Sequence, residues 1–190
     1  MKESEKIMDK KVEGLSIKVE DFEVSNNIGL AECGVDVEIW DNYIPISLKI
    51  ELKNKDTFDN TKIENYIKEF KKYLLWIENN KKAIFDALIE NDMIQLAEEW
   101  VESSEETIID GKKVYVDGDD IFKLPITEED FFNSLQFNSI GIRIDESKEI
   151  ADSRIMIEAF IDTNPDYFAG HSMDVTVWDD YRISVNGLVG

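Results

Sequence analysis

A single helical period in the middle of the chain constrains the fold more than any other feature. Between Ile63 and Ile77 the apolar side chains recur three and four positions apart, which is the spacing of one face of an α-helix. Lysines and glutamates fill the other face, so we expect an amphipathic helix of about four turns. Asn79-Asn80 ends this helix and starts a second helical segment, which continues after a break at Asn91-Asp92 to Val101. The short connection predicts an antiparallel pair of helices.

On both sides of the helices, apolar residues alternate with polar ones, as they do in half-buried β-strands. The pattern occurs at residues 15–19, in a hairpin over residues 35–52 that turns at Asp41-Asn42, in a hairpin around Asp110-Gly111, and at residues 140–144, 155–161, 173–177 and 183–185. Thr127 is the predicted cap of a short helix. The order shows no regular β-α-β alternation. We therefore expect an α+β fold, with antiparallel hairpins and sheets in the N- and C-terminal parts and a central antiparallel helix pair.

Length and composition favour one folded domain. The 190 residues are 43% hydrophobic and include only 3 prolines and 9 glycines, so the chain can bury a core of its own. Residues 1–12 are charged and lack periodicity, and they predict a flexible N-terminal tail before a domain over residues 13–190. An alternative division is into two sub-lobes, residues 13–103 and 104–190, each with one similar hairpin.

That similarity is a nine-residue phrase that occurs twice. Residues 35–43 (VDVEIWDNY) and 173–181 (MDVTVWDDY) are identical at five positions, which include Trp40 and Trp178. Strand and turn preferences alone produce much of such a match. The other interpretation is an internal repeat of two equivalent hairpins, which predicts matching environments for the two tryptophans. The repeat places Cys33 where the second copy has His171.

The net charge of −21 is unevenly distributed. Residues 1–97 have 20 acidic and 14 basic side chains, whereas residues 98–190 have 22 acidic and 7 basic ones. Such a field repels nucleic acid and anionic membranes and attracts a basic protein, such as a toxin, although acidity also serves solubility alone. The sequence has no apolar run of ~20 residues and no apolar signal segment, and it has one cysteine, so we expect a cytoplasmic protein.

His171, the only histidine, is a weak catalytic candidate. Any serine- or cysteine-histidine site must use it, with Asp166 or Asp174 as the acid, but strand alternation directs His171 and Asp174 to opposite faces. A structural histidine at a strand entrance is the alternative. The candidate binding residues are Gly170, His171, Ser172, Trp178 and Trp40.

Motifs for metals and nucleotides are absent or incomplete. Residues 117–120 (DGDD) resemble the start of a calcium loop, but Ile121 and Phe122 stand where an EF-hand needs a ligand and glycine, so we interpret them as an acidic turn. Residues 51–53 (ELK) match the E-x-K triplet of metal-dependent nucleases, yet the net charge opposes DNA. The chain has no P-loop and no G-x-G-x-x-G fingerprint. We therefore expect no cofactor and no metal.

Five phrases of the C-terminal half carry a family resemblance. They are Glu99-Trp100, residues 126–131 (ITEEDF), Ser139-Ile140, residues 168–173 (FAGHSM) and the terminal residues 187–190 (GLVG). Together they resemble the bacterial domain-of-unknown-function family 2262. The resemblance implies a bacterial origin and supports the fold, and it implies no activity because none is established for the family.

Two hypotheses of different classes follow. The first is a non-catalytic acidic interaction module, either an immunity-like inhibitor of a basic toxin or a regulatory binding protein. The alternative is a small hydrolase-like enzyme with a site around His171, which requires a pocket there and a paired acid. Because the sequence lacks a paired nucleophile and base, we favour the non-catalytic hypothesis. The oligomeric state is not indicated.

Overall fold

The structure is a computed structural model that describes residues 11–52, 59–146 and 154–190. The helices in these residues are α1 (Asn60–Asn79), α2 (Lys81–Glu90), α3 (Met93–Glu102) and α4 (Glu128–Ser134). The strands are β1 (Glu23–Ser25), β2 (Leu30–Ile39), β3 (Asn42–Glu51), β4 (Glu105–Ile109), β5 (Lys112–Asp117), β6 (Asp120–Phe122), β7 (Leu135–Asp145), β8 (Ile155–Thr163), β9 (Ser172–Trp178) and β10 (Ile183–Val189). The predicted α+β class is confirmed.

Within the described residues the strands form two sheets. One has seven strands in the order β1-β2-β3-β7-β8-β9-β10, and the other has three in the order β4-β5-β6. Neighbouring hairpin strands are antiparallel, as the turn signals predicted, but β3 and β7 pair in parallel from Ile46↔Ile140 to Glu51↔Asp145. A parallel pair needs a long crossover, which here contains all four helices and the small sheet.

The chain divides into two compact units. The first unit contains residues 1–80 and 139–157, and the second contains residues 81–138 and 158–190. Each unit therefore uses two separate segments, in contrast to the contiguous sub-lobes 13–103 and 104–190 that the sequence suggested. The chain passes from the second unit to the first within β7 and returns to the second unit within β8. A single cut in the sequence therefore does not separate the two units. Each unit has one of the two similar hairpins.

In the first unit, α1 has the amphipathic pattern that the sequence predicted. Its N-cap is Asp59, whose carboxylate accepts the N–H of Lys62 at 2.7 Å. Its buried residues are those of the predicted apolar face, Ile63, Tyr66, Ile67, Phe70, Tyr73, Leu74 and Ile77. Phe22 stacks on Phe70 with 6.2 Å between ring centroids. The long helical period thus identified both the helix and its buried face.

The prediction of a strand at residues 15–19 is wrong. Leu15 and Ile17 are buried, as the alternation indicated, but the segment has no strand partner among the described residues and leads into a 3-10 turn at Val19–Asp21. The 3-10 turns at Val12–Gly14 and Val19–Asp21, on either side of this segment, contact α1, so its alternate burial arises without a hydrogen-bonded ladder.

The predicted tail boundary at residue 12 is also too late. Residues 1–10 lie outside the described residues, but Lys11 forms a bridge to Glu38, and Val12 is 3% exposed in a 3-10 turn that packs on α1. A buried apolar side chain holds this part of the N-terminus in the fold.

In the second unit, the predicted breaks and caps are present. Asp92 has a φ of +57° between α2 and α3, and the Thr127 hydroxyl accepts the N–H of Asp130 at 3.0 Å at the start of α4. The Asp110-Gly111 turn joins β4 to β5, and the acidic turn joins β5 to β6.

In the described residues, no helix combines the length and the apolar character needed to span a membrane.

Candidate functional site

His171 follows the loop between β8 and β9, immediately before β9 begins. Its backbone N–H donates to the carbonyl oxygen of Phe168 at 3.1 Å, and its ring Nδ1 lies 3.1 Å from the same oxygen. Because a carbonyl oxygen only accepts hydrogen bonds, this contact places the proton of a neutral imidazole on Nδ1. Nε2 is then the ring nitrogen with a lone pair.

Packing also fixes the imidazole of His171. Its ring meets Trp100 of α3 edge to face, with 5.1 Å between centroids, and Trp100 meets Phe168 at 6.2 Å. The backbone of Gly190 also approaches the ring, since a Cβ atom placed on Gly190 would lie 3.0 Å from His171 Cδ2. The imidazole of His171 therefore has both an aromatic ring and a backbone segment as close neighbours.

Asp166 organises the loop that leads to His171. Its Oδ1 accepts the N–H of Phe168 at 3.1 Å, and its Oδ2 accepts the N–H of Gly170 at 2.6 Å. Ala169 and Gly170 have φ angles of +50° and +87°, in the left-handed region. This conformation lets backbone N–H groups converge on one anion, and the anion here is the Asp166 carboxylate itself.

The second acid of the enzyme hypothesis, Asp174, is directed elsewhere. Its Oδ1 accepts from Asn186 Nδ2 at 3.1 Å, across the β9–β10 pair. Among the described residues, no carboxylate is hydrogen-bonded to the imidazole of His171. In the described residues, the imidazole of His171 and the carboxylates of Asp166 and Asp174 therefore have separate hydrogen-bond partners.

Ser172 belongs to a separate polar cluster. Its hydroxyl donates to Asp162 Oδ1 at 2.5 Å, and Asn138 Nδ2 donates to Asp162 Oδ2 at 2.9 Å. The hydroxyl is thus bound to a carboxylate of β8 and not to the imidazole of the preceding residue. Sequence reasoning missed Asp162 and Asn138, because their only signal was a polar position within a strand pattern.

The indole hydrogen bonds of the two tryptophans lie within their own units. Trp178 lies six positions beyond Ser172, about 20 Å along β9. Its Nε1 donates to Ser184 Oγ at 3.1 Å, and the guanidinium of Arg182 lies 5.5 Å from its ring centroid. Trp40 belongs to the first unit, where its Nε1 donates to the carbonyl of Ile77 at 3.2 Å. Of the five candidate binding residues, Gly170, His171 and Ser172 are consecutive in the chain.

The similar hairpins also differ at their turns. Trp40 and Asp41 have φ angles of +50° and +63° and form the two-residue turn of the first hairpin, one position before the predicted turn. Trp178 is instead the last residue of β9, and the left-handed residue of its turn is Tyr181, at +64°. Both tryptophans are half-buried, but they contact different kinds of group. Duplication of one hairpin therefore stays a prediction.

The first unit has a groove of about 440 Å³ beside Cys33. Acidic side chains (Asp21, Glu23, Glu32) and Lys49 line it. Burial, together with the negative charge of Asp21, raises the pKa of the Cys33 thiol, so the reactive thiolate form is disfavoured. Within the described residues, no three histidine, cysteine or acidic side chains are grouped to hold a metal ion.

The E-x-K triplet does not form a nuclease-like site in the described residues. The Glu51 carboxylate accepts from Arg143 Nη2 at 2.7 Å, so an arginine neutralises the proposed metal ligand. Lys53 lies outside the described residues.

Several phrases of the family resemblance meet at His171. Trp100, the phrase of residues 168–173 and the terminal Gly190 are in contact there. A family model described as an uncharacterized protein conserved in bacteria (DUF2262) matches residues 20–187. The chain belongs to this family. The match includes the N-terminal strands and helices, so the DUF2262 likeness extends well beyond the C-terminal half. No curated protein and no solved structure gives a significant match.

Proposed function

We propose that this DUF2262 protein is a non-catalytic acidic interaction module that binds a basic protein. The observation that carries the proposal is the charge of the second unit, which has 21 acidic and 6 basic residues. Six cations cannot neutralise this excess, so the unit presents a negative field to its surroundings. Such a field accelerates encounter with a cationic partner and disfavours nucleic acid and anionic membranes.

The negative charge is concentrated in residues 98–130, which we call the acidic segment. It contains 12 acidic residues and 3 lysines, and it includes the end of α3, the small sheet and the start of α4. Three large apolar side chains in it are exposed, those of Ile108, Ile109 and Ile121. Exposed apolar groups surrounded by charge are typical of a protein-binding surface. An immunity-like inhibitor of a basic toxin and a regulatory binding protein both fit this surface.

The hydrolase-like alternative around His171 has less support. It needs a nucleophile, a base and an orienting acid within hydrogen-bond reach of one another. Here Nδ1 is bound to the Phe168 carbonyl, the Ser172 hydroxyl is bound to Asp162, and the Asp166 carboxylate is bound to backbone N–H groups.

We also propose a cytoplasmic location, which the single, buried Cys33 supports because it needs no oxidising compartment.

The experiment compares two variants with the same change in net charge. In the first, four exposed acids of the acidic segment become amides: Glu102→Gln, Glu105→Gln, Asp117→Asn and Asp119→Asn. In the matched control, four exposed acids of the first unit become amides: Glu13→Gln, Glu23→Gln, Asp36→Asn and Glu64→Gln. Each protein is immobilised, incubated with a bacterial lysate at low and high salt, and its captured proteins are identified by mass spectrometry.

We expect the wild-type protein and the control to capture the same basic protein at low salt. The variant of the acidic segment should lose it, and high salt should weaken capture because it screens exposed charges. Equal capture by both variants would contradict a role for the acidic segment. Failure of the wild-type protein to capture any basic protein would contradict the proposed function.

A further inference from the structure

The small sheet has an exposed edge at β4. Ile109 and Lys112 flank a two-residue turn, so they form a hydrogen-bonded pair. Because hydrogen-bonded and non-hydrogen-bonded pairs alternate along an antiparallel ladder, Thr107 also bonds to β5, whereas the peptide groups of Glu106 and Ile108 point away from it. β4 is an outer strand of its sheet, and no hydrogen bond between described residues reaches these outward groups.

The side chains of β4 leave this edge accessible. Ile108 is 73% exposed and Ile109 is 42% exposed, which is unusual for large apolar residues of a strand. An edge with unsatisfied peptide groups and apolar side chains is a template for another strand, and proteins usually cover or block such edges. Neither a proline nor a lysine occupies β4 itself.

Charge determines which strand this edge accepts. The acidic segment that contains β4 has a net charge of −9, from 12 acidic and 3 basic residues. Pairing β4 with β4 of a second copy would bring two such segments together, and this repulsion opposes a homodimer. A basic strand gains the opposite interaction. Within β4, Glu105 offers a carboxylate beside the exposed isoleucines, whereas Glu106 forms an ion pair with Lys113 of β5 at 2.8 Å.

We propose that β4 pairs with an extended, basic segment of the partner protein, which adds a fourth strand to the small sheet. The partner's backbone bonds to the outward peptide groups of Glu106 and Ile108, its lysine or arginine side chains meet the acidic residues, and its apolar side chains cover Ile108. This inference rests on the proposed function and names the surface that the function uses.

The test measures amide hydrogen exchange in the isotope-labelled full chain by NMR. The probe is a synthetic peptide of about eight residues that alternates lysine with valine, long enough to span the edge strand. The matched control peptide alternates lysine with proline, so it has the same charge but cannot form a regular ladder. We expect the lysine-valine peptide to slow exchange at Glu106 and Ile108 at least about tenfold, which corresponds to one hydrogen bond each. The lysine-proline peptide should not.

Two other outcomes would overturn the inference, and they differ in whether the proposed function also fails. If both peptides bind equally, or if protection appears elsewhere, the edge is not the docking surface, although affinity for basic polypeptides stands. If neither peptide perturbs the protein at low salt, both the inference and the proposed function fail.

Two substitutions separate backbone pairing from apolar contact. Ile108→Pro removes an outward N–H that the β4–β5 ladder does not use, and Ile108→Ala removes the side chain but keeps the N–H. We expect Ile108→Pro to abolish protection at Glu106 and Ile108→Ala only to reduce it. Retained protection at Thr107 and Ile109 would show that the proline variant folds. Unchanged protection of Glu106 in that variant would overturn the proposal.

Discussion

Asp166 is the side chain on which the loop before His171 depends. Its two oxygens accept the N–H groups of Phe168 and Gly170, and the loop contains a left-handed alanine, Ala169, whose conformation is unfavourable on its own. The carboxylate therefore stabilises a strained backbone.

Removal of this carboxylate should destabilise the fold. Two hydrogen bonds to a charged group contribute about 3–6 kcal/mol when they are buried, and partial exposure reduces the expected loss for Asp166→Ala to about 2 kcal/mol. Urea unfolding measures the loss as a change in the free energy of unfolding. The control is Asp119→Ala, at an exposed acid of the β5–β6 turn, which should cost less than about 0.5 kcal/mol. Equal effects of the two substitutions would contradict the assigned role of Asp166.

Sequence reasoning at the residue scale succeeded only for neighbours in the chain. It named Gly170, His171 and Ser172 together because they are consecutive, and the hydrogen bonds of His171 and Asp174 go to different partners, Phe168 and Asn186. It could not identify Trp100 as a ring partner of His171, because that contact depends on how α3 packs and no local spacing encodes it. It assigned Asp166 to a possible acid role, although the two N–H groups that occupy the carboxylate come from a turn geometry that the sequence does not show.

At the scale of elements, alanine substitutions at two glycines distinguish the cost of a left-handed backbone from the cost of side-chain crowding. Gly111 has a φ of +74° in the β4–β5 turn, whereas Gly34 in β2 lies outside the left-handed region, and a Cβ atom at either position meets nothing within 4 Å. Gly111→Ala should therefore destabilise the protein by about 1 kcal/mol through φ alone.

The matched substitution Gly34→Ala should have no cost or should stabilise the protein by about 0.5 kcal/mol, since glycine is unfavourable within a strand. Thermal and urea unfolding of both variants measure the difference. A neutral Gly111→Ala variant would show that the turn at residues 110–111 does not have the left-handed geometry described here.

Elements with a long, regular period were the most predictable. The pattern from Ile63 to Ile77 identified α1 and its buried face, because four helical turns leave little ambiguity of period. The short alternation at residues 15–19 was misleading, because burial of alternate residues does not require a strand partner. The parallel pairing of β3 with β7 was not predictable, since residues far apart in the chain determine it.

At the scale of the whole molecule, the sequence showed the excess of acidic residues but not how the fold distributes them between the two units. The excess of acids in the C-terminal half corresponds to an excess in the second unit, which has 21 acidic and 6 basic residues. The discontinuous units were not foreseen, because they depend on non-local strand pairing. The exposure of the isoleucines in the acidic segment was also not predictable from the sequence. Alternation predicts that one face of a strand is buried, but it does not show which strands remain uncovered.

The proposed recognition of a basic partner depends on the charge of the second unit and requires no chemistry at His171. The most direct measurement is the association rate with the captured, purified partner at about 20 mM and about 300 mM salt, where the Debye length falls from roughly 20 Å to below 8 Å. It is made for the wild-type protein, for both four-acid variants, and for His171→Asn, which retains an N–H close to the position of Nδ1.

We expect salt to slow association of the wild-type protein at least about tenfold, and we expect His171→Asn and the first-unit control to behave like the wild-type protein. The variant of the acidic segment should associate slowly and with little salt dependence. If His171→Asn abolishes binding while the variant of the acidic segment binds normally, the central claim is contradicted.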